Sequence, residues 1–152
     1  MIGVSTHDAL AARLDDDPAG RPLLVVLDAR RGEVYVQGFD PAGKPLMAIE
    51  ARDPSDLAAD LVTVSWRLVG PGAHLIADRL DASTPVEILD AQPADAAAVA
   101  RAAMQRLSAG EPPSPGFGLK PLYIRSPDAV PPTPLIASAT ALATRATGEA
   151  LP

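Results

Sequence analysis

The chain is predicted to fold as a single mixed α/β lobe: an antiparallel meander, then short helices alternating with short strands. Three observations predict it. Residues 23–27 form a continuous apolar run, the pattern of a strand covered on both faces. Residues 33–39 alternate, with Val34 and Val36 on one side and Glu33, Tyr35, Gln37 and Phe39 on the other. Between these runs, Arg30-Arg31-Gly32 fits a three-residue hairpin loop whose glycine takes the left-handed position that a side chain disfavours.

The elements follow in order. Ser5 or Thr6 caps a first helix, with Asp8 in its first turn and Ala9, Leu10 and Leu14 as an apolar stripe. Asp15-Asp16-Asp17-Pro18-Ala19-Gly20 ends it and reads as a solvated acidic loop, because a calcium or magnesium site needs oxygens that converge at defined geometry. After the hairpin, Asp40-Pro41-Ala42-Gly43-Lys44 is a second turn, and residues 45–51 return as a third antiparallel strand. Asp53-Pro54-Ser55 opens a short helix with Leu57 and Leu61 on one face. Residues 66–69 form a buried strand that ends at Gly70-Pro71-Gly72, residues 73–80 a helix, and residues 86–89 another strand.

The clearest helix follows. Pro93 suits its first turn, Gly110 stands near its stop, and Ala96, Val99, Ala100, Ala103, Met104 and Leu107 lie along one side, predicted as its buried face with Met104 as core filler. Residues 112–118 are a Pro/Gly-rich link and residues 121–125 a short terminal segment. The expected division is a lobe over residues 1–126 and a proline- and alanine-rich tail over 127–152, with too few large apolar groups to pack. The order β-β-β-α-β-α-β-α is close to one ribonuclease-H-like lobe.

Composition bounds the partners. Aromatic residues are only 3% of the chain, so the core is built from Leu, Val, Ile and Ala, with Trp66 as its single indole. A net charge of -6 argues against a broad phosphate-binding surface, so any RNA role is expected to be indirect. Arginine supplies most of the positive charge; the lysines are Lys44 and Lys120, read as a reflection of biased composition. Without cysteine there is no disulfide and no thiolate metal site. There is no long apolar segment and no basic-plus-apolar leader, so a cytoplasmic location without membrane attachment is expected.

The string Asp28-Ala29-Arg30-Arg31-Gly32-Glu33-Val34-Tyr35 carries a resemblance, together with Gly3-Val4-Ser5-Thr6 upstream and Pro121-Leu122-Tyr123-Ile124-Arg125 downstream. In order and spacing these segments resemble the second half of the TsaB family, also called YeaZ, a bacterial tRNA-modification subunit. The resemblance implies one ribonuclease-H-like lobe of the actin, sugar-kinase and Hsp70 superfold. It also implies a non-catalytic role beside a TsaD-like catalytic subunit and a TsaE-like ATPase, in placing a threonylcarbamoyl group on N6 of adenosine 37 in tRNA. The family's first half, with its own lobe and a G-P-G-S-F-T-G-type segment, has no counterpart here, so the chain is expected to act as a truncated subunit. A lobe without its companion is further expected to expose apolar surface and self-associate.

The candidate interface residues are Arg30, Arg31, Glu33 and Tyr35 of the hairpin, with Tyr123 and Arg125 of the terminal segment. Active members of the superfold use a glycine-rich turn at the hairpin to bring backbone amides against phosphate; two arginines stand there instead, and their side chains obstruct that approach. The plainer reading of the tip is an exposed turn with an Arg-Glu pair, and of Tyr123 and Arg125 a strand end that closes the sheet with the Tyr123 ring packed. Gly70-Pro71-Gly72 lacks phosphate-loop spacing and reads as a turn. His7 and His74 are far apart in sequence, and the serines lack an evident base, so no catalytic, metal or cofactor residue is assigned. Two alternatives stay open: an orphan protein-interaction module, and a nucleotide-dependent enzyme of the same superfold.

Overall fold

The computed structural model describes residues 1–14, 17–90, 93–116 and 118–125. The predicted tail, residues 127–152, lies outside the described residues, as do Asp15 and Asp16. The predicted meander forms from β1 (Leu23–Asp28), β2 (Val34–Phe39) and β3 (Glu50–Arg52). Two further strands, β4 (Trp66–Val69) and β5 (Val86–Ile88), complete a five-stranded sheet in the order β3-β2-β1-β4-β5. β1 pairs antiparallel with β2, placing Val26 opposite Val36, and parallel with β4, placing Val25 opposite Val69. The sheet is therefore mixed, as the strand patterns predict.

Helices cover both faces. α1 (Thr6–Ala11) and α4 (Ala96–Ser108) lie on one, and α2 (Pro54–Asp60) and α3 (Ala73–Ala77) on the other. The continuous apolar run of β1 feeds both layers. Leu23 and Val25 pack with Leu10, Phe39 and Val69, while Leu24 and Val26 pack with Val36, Leu57, Leu68 and Ile76. Val25, Val26, Val34 and Val36 are fully buried, and each contributes about 1.5–3 kcal/mol relative to exposure.

The third strand is shorter than predicted. Pro45 makes an isolated bridge with Phe39, and the Leu46 amide donates to the Gly38 carbonyl at 2.8 Å. The chain then leaves the ladder until Glu50, since proline cannot donate to it and the Gln37 amide takes the Met47 carbonyl at 3.3 Å.

α4 differs from its predicted form in two ways. Asp95 caps it, accepting from the Ala98 amide at 2.8 Å, so Pro93 lies outside the helix. Its buried residues are Ala98 and Ala102, whereas Val99 (44%), Met104 (66%) and Leu107 (45%) are exposed. The cause is polar. Arg101 donates to the Ala12 carbonyl at 3.1 Å and Arg106 to the Gly3 carbonyl at 2.6 Å. These anchors turn the small alanines toward α1 and the larger apolar stripe outward.

The acidic loop is corrected as well. Asp17 is not a solvated carboxylate: its side chain is 5% exposed and accepts from the Arg21 backbone amide, Nε and Nη2 at 2.8, 2.9 and 3.0 Å. Those bonds hold its carboxyl well below the usual range. Arg21 continues to Glu87 at 2.5 Å, which ties the loop to β5.

Candidate functional site

The β1–β2 hairpin and the terminal segment meet. Ala29 donates to the Glu33 carbonyl at 3.0 Å, leaving Arg30-Arg31-Gly32 as the loop, in agreement with the predicted length. The expected left-handed glycine is present, with φ +80° at Gly32, but Arg30 and Arg31 also take positive φ, 63° and 54°. Such backbone disfavours a side chain. Asp28 supports it by accepting from the Arg30 amide at 2.7 Å, while Glu33 donates its amide to the Arg30 carbonyl at 3.1 Å. Both arginine residues are exposed.

Glu33, Tyr35 and Arg125 are brought together. The Arg125 guanidinium pairs with the Glu33 carboxylate and lies 5.8 Å from the centroid of the Tyr35 ring. Its Nη1 reaches the Ala29 carbonyl at 3.5 Å, the outer limit of a hydrogen bond. The Arg-Glu pair expected near the tip thus includes the terminal segment's arginine. Tyr123 does not join this group. It is 82% exposed, against the expectation that its ring packs.

Other polar anchors hold the scaffold behind the hairpin. Ser5 accepts from the Asp8 amide at 3.0 Å and Asp8 accepts from the Ser5 amide at 3.1 Å, a reciprocal cap at the start of α1. Arg106 donates to Glu111 at 2.6 Å, which raises the guanidinium pKa and lowers that of Glu111, and it also reaches Asp8 at 3.2 Å. His7, in the first turn of α1 as expected, is buried and donates from Nε2 to the Tyr35 carbonyl at 3.2 Å; burial lowers its pKa. His74 lies on α3 and is exposed. Among the described residues no group of three or more His, Cys, Asp or Glu side chains is placed to hold a metal ion.

Gly70-Pro71-Gly72 has a packing role. The Gly72 amide donates to the Val26 carbonyl at 3.0 Å, and a Cβ on Gly72 would stand 2.8 Å from the Leu27 carbonyl carbon. The turn seats its backbone directly against β1. Among the described residues, no helix is long and apolar enough to cross a membrane.

This hairpin-bearing mixed sheet has counterparts of known structure. The chain aligns with the crystal structure of an uncharacterized protein with similarity to peptidase YeaZ from Pseudomonas aeruginosa, with a TM-score of 0.64 and 22% identity over 80% of this chain. It shares the YeaZ fold. Against YeaZ from Pseudomonas aeruginosa itself, the TM-score is 0.55 and the identity 20% over 71% of this chain. The alignments cover 57% and 52% of those two structures, so the chain spans little more than half the length of the YeaZ-like proteins it matches. That partial coverage fits a single lobe, as the sequence motifs imply. No protein family model and no curated protein matches the chain.

Of the six residues singled out in the sequence, Glu33, Tyr35 and Arg125 form one cluster, and Arg30 and Arg31 stand beside it on the tip. Sequence reasoning missed the Asp17 network and, although it placed Asp8 in the first turn behind a Ser5 or Thr6 cap, the bond that Asp8 returns to the Ser5 amide. The second had a visible signal, an acidic residue three positions after Ser5.

Proposed function

We propose that the chain is a non-catalytic interaction lobe that supports a TsaD-like catalytic subunit in threonylcarbamoylation of N6 of adenosine 37 in tRNA. The observation that carries this reading is the shared fold with YeaZ-like structures over 80% of the chain. The hairpin supports it. Two arginines replace the glycines that a phosphate-binding turn would use, and both are presented on a backbone braced by Asp28 and by the Glu33–Arg125 pair. Arg30, Arg31, Glu33, Tyr35, Tyr123 and Arg125 are the proposed contact residues, with exposed Tyr123 suited to burial against a partner. A TsaE-like ATPase supplies the nucleotide chemistry in this reading, tRNA is reached through the partner, and the work is done in the cytoplasm.

Co-purification of the chain with TsaD from the same organism tests the proposal. A stable complex weakened by Arg30→Glu and Arg31→Glu supports it. ATP turnover by the pure chain that is lost with Asp28→Asn would instead support an enzyme.

The outward apolar stripe of α4 favours a second reading, an interaction module that associates through Val99, Met104 and Leu107. A folded chain that self-associates and ignores TsaD would favour it.

A further inference from the structure

Between Tyr35, Gln37 and Phe39 of β2, the start of α1 and the terminal segment lies a cleft of about 1260 Å³. Both lysines of the chain line it, Lys44 from the turn after β2 and Lys120 from the terminal segment. The sequence offered no reason to connect them. Among the described residues neither ammonium group has a hydrogen bond or an ion pair.

The carboxylates of the same walls are engaged. Asp8 accepts from the Ser5 amide and Arg106, Glu111 from Arg106, and Asp40 from the backbone amides of Ala42 and Lys44. Among the described residues Arg106 is paired with Asp8 and Glu111, and Arg67 stands 3.9 Å from Asp17, so the two lysines are the cations of the lining left without a carboxylate partner. A carboxylate brought in by a ligand supplies one.

The cleft also holds hydrogen-bonding capacity that the fold leaves unused. Gln37 is 7% exposed and its Oε1 has no partner, although its amide nitrogen is fixed on the Met47 carbonyl. Arg67, 9% exposed, has an Nε without a hydrogen bond, 3.9 Å from the nearest Asp17 oxygen. A buried acceptor left unpaired is unfavourable, and a matching donor relieves it. Phe39, Ile49, Leu122 and Ile124 give the same cleft an apolar wall.

We propose that this cleft binds a small organic carboxylate, its charge held between Lys44 and Lys120, an adjacent N–H or O–H donated to Gln37 Oε1, and an apolar body against Phe39 and Ile124. Binding requires no partner subunit, so it stands or falls independently of the TsaD reading.

Calorimetric titration of the full chain with N-acetylphenylalanine and with 3-phenylpropionate tests it. The two share the carboxylate and ring, and only the first carries an N–H. The proposal expects saturable binding, tighter for N-acetylphenylalanine by roughly tenfold. Lys44→Gln and Lys120→Gln, both at exposed positions, should each weaken binding of both compounds by about threefold. Gln37→Leu should abolish the preference between the two compounds while keeping the affinity that Lys44 and Lys120 supply. No saturable binding, affinity unmoved by either lysine variant, or no gain from the N–H would each overturn it.

Discussion

The Arg125 guanidinium pairs with the Glu33 carboxylate and sits over the Tyr35 ring, joining the last described segment of the chain to the base of the β1–β2 hairpin. The pair is 27% and 42% exposed on its two sides, so solvent screens it. It acts as a latch more than as a source of stability.

Arg125→Ala should accordingly cost about 0.2–1 kcal/mol of global stability, and a double-mutant cycle with Glu33→Ala should return a coupling of that order. Hydrogen exchange should quicken in residues 118–125 and spare β1. Exchange that quickens equally in β1 would mean that the latch belongs to the cooperative core.

The Gly70 and Gly72 turn predicts a larger effect. At Gly70, φ is +113° and a Cβ would intrude on the Val26 carbonyl oxygen, whereas Gly110, at φ +85°, has open space around it. Gly70→Ala should lose about 3 kcal/mol or more, combining steric clash with backbone strain, and Gly110→Ala about 1 kcal/mol. Urea unfolding of the two variants measures the difference; equal losses would contradict the packing described for the turn.

His7 sets a pH dependence. Its folded-state pKa is depressed by burial below the ordinary imidazole value of about 6.5. The unfolded chain therefore takes up a proton that the folded chain resists. Stability should fall as pH drops through about 6.5 and level off below the folded-state pKa. His7→Gln should flatten that part of the profile in urea unfolding, and an unchanged slope would show that another group is responsible.

The outward stripe of α4 predicts that Met104→Gln and Leu107→Gln change stability by no more than about 0.5 kcal/mol, while reducing any self-association seen by light scattering. Ala102→Leu, on the face against α1, should instead cost about 1–3 kcal/mol by overpacking. The reverse pattern would restore the face predicted from spacing.

That face shows where local pattern stops informing. The hairpin was legible because its length, glycine and flanking valines are contiguous, and the order of strands followed from the same local patterns. α4 was legible as a helix, yet its rotation depends on Arg101 and Arg106 finding the Ala12 and Gly3 carbonyls at the other end of the chain. Distance in sequence also hid the meeting of Glu33 with Arg125 and of Lys44 with Lys120 in one cleft. Arg30 and Arg31 were visible at the tip, but their positive φ was not, because arginine carries no preference for that conformation.

The central claim is that this lobe binds a TsaD-like subunit through its hairpin side. Co-purification of the full chain with TsaD from the same organism, followed by sizing of the eluted complex, tests it most directly. A defined complex, weakened by Arg30→Glu with Arg31→Glu and unaffected by Met104→Gln, is the expected result. A folded chain that elutes apart from TsaD, or a complex indifferent to both arginines, would contradict it.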